Sequence, residues 1–452
     1  MVNWIEHIVN VDRINMDVLP RLTAEQTAER LGVKLETLYA YVARGRLSRE
    51  RTADGSSFDP LEVERFAAAR RRRPAVGGGH SEGRPLMVIE TGFALIEDGE
   101  LYYRGRPVAE LADEPFETVA RWALAGEWDA GARFSPPAGM EAARAVAAAL
   151  PAAAGDRDRQ LVAVTALASA DPLRASLDPA TVATAAERLV AAMVEVLPGR
   201  AGGGGGADVA DGVGGADGTD GADGETHRSA SADGLHPLPK RLFSRLATPA
   251  FPTAGDHPDD GDVALLNAAL VLLLDHDIAV STLAARAAAS ARATPYGVVV
   301  AGLGALDSPL HGNASRAAYR LLERVRSGED AARAVADTVL TAHGPVPGFG
   351  QPLYPQGDPR ARILLGMLAA DSRHAAVTSA VEAVTRVLRD RTGARPNVDL
   401  ALGALALACG MGDDAGEVVF ATARTVGWLV HALDEYGRPP LRLRPVGRYV
   451  GP

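Results

Sequence analysis

Apolar and polar positions near the start of this chain follow the period of an α-helix. One pattern begins at Thr23, a good N-cap residue, and ends at Gly32, a typical helix C-cap. Its inward face consists of Ala24, Thr27, Ala28 and Leu31. A second pattern covers 35–43 and stops at Gly45. Two short helices across a tight Gly-Val turn predict a helix-turn-helix.

The longer part of the chain, about 85–195 and 236–452, is also dominated by the helical period, with short connections. A strand-like pattern occurs only near 86–103, where apolar residues precede the turn Asp98-Gly99. The chain therefore predicts an all-α body with a small hairpin before it.

Residues 201–234 interrupt this pattern with Gly, Ala, Asp and small polar residues. Such a segment buries too little apolar surface to offset the entropy of ordering, so we expect a disordered surface insertion. The alternative is a glycine-rich phosphate loop. The segment lacks a Lys-Ser/Thr ending, and its seven acidic residues would repel phosphate.

The composition is that of a soluble globular protein with a sizeable core: 47% of the 452 residues are hydrophobic and 23% are charged. A chain of this length predicts more than one domain. The single cysteine, Cys409, excludes an intrachain disulfide and favours a reducing cytoplasm. The apolar runs 263–274 and 400–412 are too short to span a bilayer, so we expect buried helices there. The N-terminus shows no secretory signal pattern, and we expect a cytoplasmic protein without a membrane partner.

The net charge of −10 is unevenly spread. Residues 1–80 hold 13 basic and 11 acidic side chains, a balance of +2, whereas 201–234 has a balance of −6. An anionic polymer, if one binds at all, would bind at the front of the chain.

The segment RLTAEQTAERLGVKLETLYAYVARGRL at 21–47, with the 26 residues that follow, resembles the MerR or excisionase type of winged helix-turn-helix. The resemblance implies a module at 20–72 whose second helix enters the DNA major groove. It would place these residues near DNA: Lys34, Glu36, Thr37, Tyr39 and Tyr41, with Arg44, Arg46, Arg49 and Arg51 around the wing. The alternative is a small helical interaction module whose run 70–73 is a solvated linker edge.

Seven segments, in order along the chain, resemble the citrate synthases. They are GELYYRGRPVAELADEPFETVARWALAGEW at 99–128, LLLDHDIAVST at 272–282, GALDSPLHGNAS at 304–315, VPGFGQPLYPQGDPRA at 346–361, RPNVDLALGA at 395–404, ATARTVGWLVH at 421–431 and LRPVGRYVGP at 443–452. Their shared order over some 350 residues is specific, because one such motif alone would be weak.

That resemblance implies a citrate synthase fold in an obligate homodimer. Each protomer would have a large domain at 85–311 and 411–452 and a small domain at 312–410 that closes over the substrates. The implied substrates are oxaloacetate and acetyl-CoA or another short acyl-CoA. Acetyl-CoA is then a co-substrate, and neither a cofactor nor a metal is implied.

The resemblance also assigns chemical roles. Condensation needs a base for the acetyl methyl group, a donor at the thioester oxygen and a donor at the keto oxygen. Asp399 takes the position of the base and His311 that of the thioester donor. The third position, the His of the family's Gly-Phe-Gly-His, is Gln351 here, and Pro352 stands where Arg usually follows. Glutamine keeps an amide donor but can neither carry a positive charge nor shuttle a proton.

The substrate's two carboxylates require fixed cations, which arginine supplies best. The family's substrate-binding positions fall on His276, Arg360, Arg424 and Arg444, and Arg444 would reach into the partner's site. Taken singly, each residue has a simpler explanation. His276 between two acids would be a surface ion pair, Asp399 a helix cap, and Arg360 or Arg424 a salt bridge.

Three functions follow from these patterns. The first is a citrate or 2-methylcitrate synthase. The second is a DNA-binding regulator that uses a catalytically weakened citrate synthase fold to sense oxaloacetate or acyl-CoA. The third is an inactive scaffold, which the retained arginines disfavour.

Overall fold

The computed structural model describes residues 20–52, 55–71, 88–199, 235–247, 259–308, 312, 314–341 and 346–451. The predicted insertion at 201–234 lies outside these residues. The described part is mainly helical, as the sequence predicts, with two small antiparallel sheets. None of its helices is both long enough and apolar enough to cross a bilayer.

Residues 20–71 form a small α/β module. Its elements are β1 (Leu22–Thr23), α1 (Ala24–Leu31), α2 (Leu35–Ala43), β2 (Glu50–Thr52), β3 (Gly55–Phe58) and α3 (Pro60–Arg71). A capping box between Thr23 and Gln26 starts α1, and Gly32 ends it in the left-handed conformation at φ +61°. The three strands form one sheet in the order β1-β3-β2. The two predicted helices and the turn between them are confirmed.

A second sheet and a group of helices follow the module. The strands are β4 (Ala94–Glu97), β5 (Glu100–Tyr103) and β6 (Arg106–Pro107). The helices are α4 (Val108–Leu111), α5 (Phe116–Ala125), α6 (Met140–Ala148), α7 (Asp156–Ala170), α8 (Pro179–Glu195), α9 (Leu238–Leu246), α10 (Asp260–Leu272), α11 (Val280–Ser290) and α12 (Pro295–Leu306). The predicted hairpin thus lies at 94–103, and most of the apolar run 263–274 belongs to the largely buried helix α10, as expected.

The remaining helices are α13 (Ala314–Arg326), α14 (Ala331–Thr341), α15 (Pro359–Ala370), α16 (Ala375–Thr392), α17 (Val398–Ala408) and α18 (Ala415–Tyr436). α13 packs against α16 and α17, and α15 also packs against α17. This group contains the predicted small domain. The domain boundaries themselves stay a prediction.

The 22-residue helix α18 runs through the main core and is buried along most of its length. Two glycines allow its neighbours to approach closely. A Cβ on Gly302 of α12 would lie 2.5 Å from the Trp428 ring, and one on Gly427 would lie 2.0 Å from the Leu274 carbonyl oxygen. The turn after α10 therefore lies directly against α18, which brings Asp275 and His276 to this helix.

The N-terminal module packs on the helices of the small-domain group. α3 lies against α14 and α16. Leu61 joins the main core, Leu340 packs against the core of the module, and Arg391 forms an ion pair with Asp59. The module is therefore fixed to the body by both apolar and charged contacts.

Candidate active site

The loop before α15 and the start of α17 are tied together by backbone pairing. Gly350 N–H donates to the Arg395 carbonyl at 2.8 Å, and Asn397 N–H donates to the Gly348 carbonyl at 2.9 Å. The Asn397 amide also donates to the Gly350 carbonyl at 3.0 Å. Gly348 has φ +80°, and a Cβ there would lie 2.8 Å from Leu400 Cβ. Glycine is therefore required where this loop touches the helix.

Asp399 stands in the first turn of α17, two residues after the N-cap Asn397, whose side chain accepts a hydrogen bond from Asp399 N–H at 3.0 Å. The residue as a whole is half-buried, while its carboxyl group is removed from solvent. Burial raises the pKa of Asp399 from 3.8 to about 6, and the nearby Arg360 guanidinium partly offsets that rise. A desolvated carboxylate that ionises near neutral pH is suited to act as a general base.

Arg360 lies at the start of α15 and is only 2% exposed. Its Nε and Nη2 donate to the two carboxylate oxygens of Asp358 at 3.0 and 2.8 Å. Asp358 is also the N-cap of α15 and accepts the Val398 N–H at 3.1 Å. The sequence predicts Arg360 as a substrate cation. In the structure its bidentate face is engaged by Asp358, so Nη1 is the guanidinium nitrogen outside that pair.

Arg424 on α18 differs from Arg360 in having unpaired nitrogens. The residue is 1% exposed, and its Nε donates to the Leu273 carbonyl at 2.9 Å. The guanidinium lies 4.5 Å from the centroid of the Phe420 ring. Nη1 and Nη2 are buried without a hydrogen-bond partner in the described part of the chain. Burial lowers the pKa of Arg424 to about 10, so it remains charged at neutral pH.

An unpaired buried guanidinium is unfavourable unless an anion compensates it. The unpaired nitrogens of Arg424 are therefore suited to bind an anion. Arg360 and Asp275 lie within electrostatic range of it, and Arg360 also acts on Asp399. Arg424 and the Asp399 carboxyl group thus both lie near Arg360.

His276 is buried, and its ring lies 5.2 Å from that of Tyr354 between centroids. The neighbouring Asp275 accepts from His431 Nε2 at 2.9 Å, while His431 Nδ1 lies 2.6 Å from Arg286 Nη1. Because a guanidinium only donates, Nδ1 accepts and Nε2 carries the proton that is donated to Asp275. This buried chain holds the His276 segment against α18.

Gln351 is half-buried and follows the Gly-Phe-Gly loop directly. Its side-chain oxygen accepts the Leu353 N–H at 3.4 Å, which orients the amide within the turn. The amide nitrogen is the donor that this side chain can offer to a ligand.

His311 and Arg444 are the two remaining predicted site residues. His311 lies outside the described residues. Arg444 is exposed in the C-terminal segment, where its backbone N–H donates to the Leu441 carbonyl at 3.1 Å. Its role in a partner's site stays a prediction.

The predicted DNA-contacting residues are mostly on the surface of the module. Lys34, Tyr39, Arg44, Arg46, Arg49 and Arg51 are exposed, and Thr37 is half-buried. Tyr41 is different, because its ring packs against Phe66 at 5.0 Å between centroids and lies at the module core. Arg46 stacks over both rings, at 5.7 Å from Tyr41 and 5.1 Å from Phe66. Tyr41 is half-buried, since it follows the buried Leu38 by three residues and shares its helix face, and its position near DNA stays a prediction.

One cluster outside this region combines groups that bind cations. Ligand atoms of Asp262, Asp371 and His374 lie within 4.8 Å of one another. Arg373 already supplies a positive charge there, with Nη1 at 2.9 Å from Asp259 and Nη2 at 3.3 Å from Asp262. Its hydrogen bonds to Asp371 lower the pKa of that carboxyl to about 2. The arrangement is an internal ion-pair network.

Sequence reasoning missed three groups at the site: Asp358, Asp275 with its partner His431, and Tyr354. Asp358 was visible in the Asp-Pro-Arg motif as a residue that can cap a helix and pair with arginine. Tyr354 carried no signal beyond lying three residues after Gln351.

The fold and the site together define a helical protein in which Arg360 lies near both a desolvated carboxyl group, that of Asp399, and a buried arginine, Arg424, with two nitrogens unpaired among the described residues. The family model "Citrate synthase, C-terminal domain" matches residues 82–445, and the chain belongs to the citrate synthase family.

Named relatives agree with this membership. The chain is 29% identical over 226 residues to citrate synthase 2 of Bacillus subtilis. The aligned region covers 48% of this chain and 59% of that protein. It is 29% identical over 203 residues to 2-methylcitrate synthase 1 of Corynebacterium glutamicum, covering 43% and 53%. The chain thus spans somewhat more than half the length of these relatives.

Solved structures share the fold. A ternary complex of Thermoplasma acidophilum citrate synthase with carboxymethyl coenzyme A and oxaloacetate matches with a TM-score of 0.60 at 21% identity, covering 81% of this chain and 94% of that one. Citrate synthase of Pyrobaculum aerophilum matches with a TM-score of 0.57 at 22% identity, covering 90% and 95%.

Proposed function

We propose that this protein condenses a short acyl-CoA with oxaloacetate, as a citrate or 2-methylcitrate synthase. Membership of the citrate synthase family supports this reaction, as do relatives named for both activities. The observation that carries the proposal is the pair of unpaired nitrogens on the buried Arg424, because a carboxylate fits a guanidinium edge.

In this proposal Asp399 removes a proton from the methyl or methylene carbon next to the thioester. His311 donates to the thioester oxygen as the enolate forms, and Gln351 donates its amide to the keto oxygen that is attacked. Arg424, the remaining edge of Arg360 and His276 hold the keto dicarboxylate. The enolate carbon then forms the new bond to the keto carbon, and the resulting alkoxide takes up a proton from water, because Gln351 can hydrogen-bond to it but cannot protonate it. Hydrolysis of the thioester by water releases CoA.

The dimer and its two-domain closure belong to the same proposal. The small domain at 312–410 would close over the substrates, and Arg444 of each protomer would enter the site of the other. Closure would exclude water from the enolate and strengthen each electrostatic contact around it.

The test is product analysis with a panel of acyl-CoA substrates. Purified protein is incubated with oxaloacetate and, separately, acetyl-CoA, propionyl-CoA or butyryl-CoA, and the tricarboxylate products are identified by mass. The proposal expects citrate or 2-methylcitrate as the main product. Absence of any tricarboxylate above a no-enzyme control would reject it.

A second candidate function is DNA binding by the N-terminal module, which resembles winged helix-turn-helix proteins. It is favoured by the contact of Arg49 with Tyr39, at 5.8 Å from the ring centroid, because both residues are exposed and α2 thereby contacts the residue that precedes β2. Lys34, Arg44 and Arg46 are further exposed cations of the module.

A mobility-shift assay at low salt tests this candidate. Arg44→Glu combined with Arg49→Glu should abolish retention of a DNA duplex. Arg144→Glu, an exposed site on α6, is the control for the change of charge. No retention of any duplex by the wild type would remove the candidate.

A further inference from the structure

Tyr354 lies in the turn between Gln351 and α15 and is held there by backbone hydrogen bonds. Its N–H donates to the Gln351 carbonyl at 3.0 Å, and its carbonyl accepts the Gly357 N–H at 3.0 Å. The residue is 2% exposed. Its position is therefore fixed by the loop and not by its own hydroxyl group.

The hydroxyl of Tyr354 is buried and has no hydrogen-bond partner among the described residues. Buried tyrosines normally pair their hydroxyl groups, because an unpaired one loses its hydration without compensation. Three other tyrosines of this chain follow that rule. Tyr103 pairs with the Leu272 carbonyl at 3.0 Å, Tyr296 with Asp171 at 2.8 Å and Tyr436 with the Ala293 carbonyl at 2.6 Å.

The surroundings of Tyr354 indicate what would pair with it. Its ring lies against His276, and its phenol acts electrostatically on both Arg360 and Arg424. Arg424 carries two further unpaired buried donor groups. Burial raises the pKa of the Tyr354 phenol above its usual range, so the group remains a protonated donor throughout the physiological pH range. Donors without acceptors thus gather in one region, and a ligand rich in acceptor oxygens would satisfy them.

We propose that the Tyr354 hydroxyl donates a hydrogen bond to an oxygen of the bound keto dicarboxylate, beside the arginines. This inference rests on the proposed function, because it takes oxaloacetate as the ligand. It adds a neutral donor to the cationic contacts and makes Tyr354 a substrate-binding residue.

Tyr354→Phe tests the inference, because it removes the hydroxyl and keeps the ring against His276. The unliganded variant should melt at or slightly above the wild-type temperature, since the hydroxyl has no partner in the protein. The affinity for oxaloacetate, measured from the ligand-dependent rise in Tm and by calorimetry, should fall roughly tenfold to a hundredfold. In turnover, KM for oxaloacetate should rise while KM for the acyl-CoA stays unchanged.

Tyr436→Phe is the matched control. Its hydroxyl donates to a backbone carbonyl, so removal should lower Tm and leave oxaloacetate affinity unchanged.

The outcomes separate this inference from the proposed function. Wild-type protein whose Tm does not respond to oxaloacetate would overturn both. A wild-type response that Tyr354→Phe reproduces in full would overturn the role of Tyr354 and leave the proposed function standing. A Tyr354→Phe chain that fails to fold would also overturn it, since the hydroxyl would then have a structural role.

Discussion

The Asn397 side-chain amide donates a hydrogen bond to the Gly350 carbonyl oxygen at 3.0 Å. This bond joins the Gly-Phe-Gly loop to the N-cap of α17. Gln351 directly follows Gly350, and Asp399 lies two residues after Asn397. The predicted keto-group donor and the predicted base are therefore held at a fixed spacing by the backbone, although they lie 48 positions apart in sequence.

Gly348→Ala should disrupt this junction. The new Cβ would occupy backbone with φ +80° and lie 2.8 Å from Leu400 Cβ, so we expect a loss of about 3 kcal/mol of unfolding free energy. Gly350→Ala is the control, because it has the same φ but no atom within 4 Å of its Cβ. It should lose only about 1 kcal/mol. Equal losses in chemical denaturation would contradict the close approach to α17.

Asp399→Asn should stabilise the unliganded protein in a pH-dependent way. The pKa of Asp399 is about 6 in the folded state against an ordinary 3.8, so the ionised carboxylate destabilises the fold above pH 6. This difference corresponds to at most about 3 kcal/mol. Below about pH 4 both states are protonated and the penalty disappears. Denaturation at pH 8 and at pH 3.5 should show a gain from the substitution at pH 8 that is largely lost at pH 3.5. An equal gain at both would argue against a desolvated carboxylate.

The pH dependence of catalysis follows from the same group. As the base, Asp399 must be ionised, so kcat/KM should fall about tenfold per pH unit below pH 6 and level off above it. The profile is measured with oxaloacetate and acyl-CoA in the wild type. Asp399→Glu, which keeps a carboxylate, should retain an acidic limb. A wild-type profile that is flat from pH 5 to pH 8 would exclude Asp399 as the base.

Gln351→His restores the residue that the family carries at this position. If glutamine weakens the site, the substitution should raise turnover roughly 30- to 1000-fold, which corresponds to about 2–4 kcal/mol of transition-state stabilisation. Gln351→Ala is the companion variant and should lower turnover, because it removes the amide donor. Unchanged turnover in both variants would show that position 351 does not act on the keto oxygen.

Arg424→Met should weaken oxaloacetate binding and, at the same time, stabilise the unliganded protein. Removing the cation should weaken oxaloacetate binding by at least about 100-fold, since a charged hydrogen-bonding partner of the carboxylate is lost. The unliganded variant should be more stable, because a buried and unpaired charge is replaced by an apolar side chain of similar size. Arg362→Met is the control at an exposed ion pair with Glu100 and should change both quantities little. A destabilised Arg424→Met that binds oxaloacetate normally would reverse the interpretation.

The helical spacing of apolar residues was sufficient to predict much of the fold. Helix α2 begins and ends at the predicted residues. Gly32 ends the preceding helix and Gly45 follows the last turn of α2, and both glycines have positive φ. The packing of Tyr41 on the module core could not be predicted from the sequence, for a physical reason. On so short a helix the pattern does not distinguish a residue that packs on a later helix from one that faces solvent, and the contact with Phe66 is 25 positions away.

The site residues show the same limit of prediction from sequence. Ordered motifs located Asp399, Arg360 and Arg424, but they could not reveal which guanidinium is already paired. Asp358 engages Arg360 and leaves Arg424 unpaired, a difference that depends on burial and three-dimensional contacts. Tyr354 was not predictable, because its significance rests on the absence of a partner for one oxygen atom within the described structure.

The most direct test of the central claim, that Asp399 acts as the base beside a keto acid held by Arg424, is oxaloacetate-dependent release of CoA thiol at pH 8. It is measured in the wild type, in Asp399→Asn and in Arg424→Met. We expect thiol release in the wild type only when oxaloacetate is present, a loss of at least about 1000-fold in Asp399→Asn, and recovery of part of the Arg424→Met rate at high oxaloacetate. Equal thiol release by all three proteins, or release that is independent of oxaloacetate, would contradict the claim.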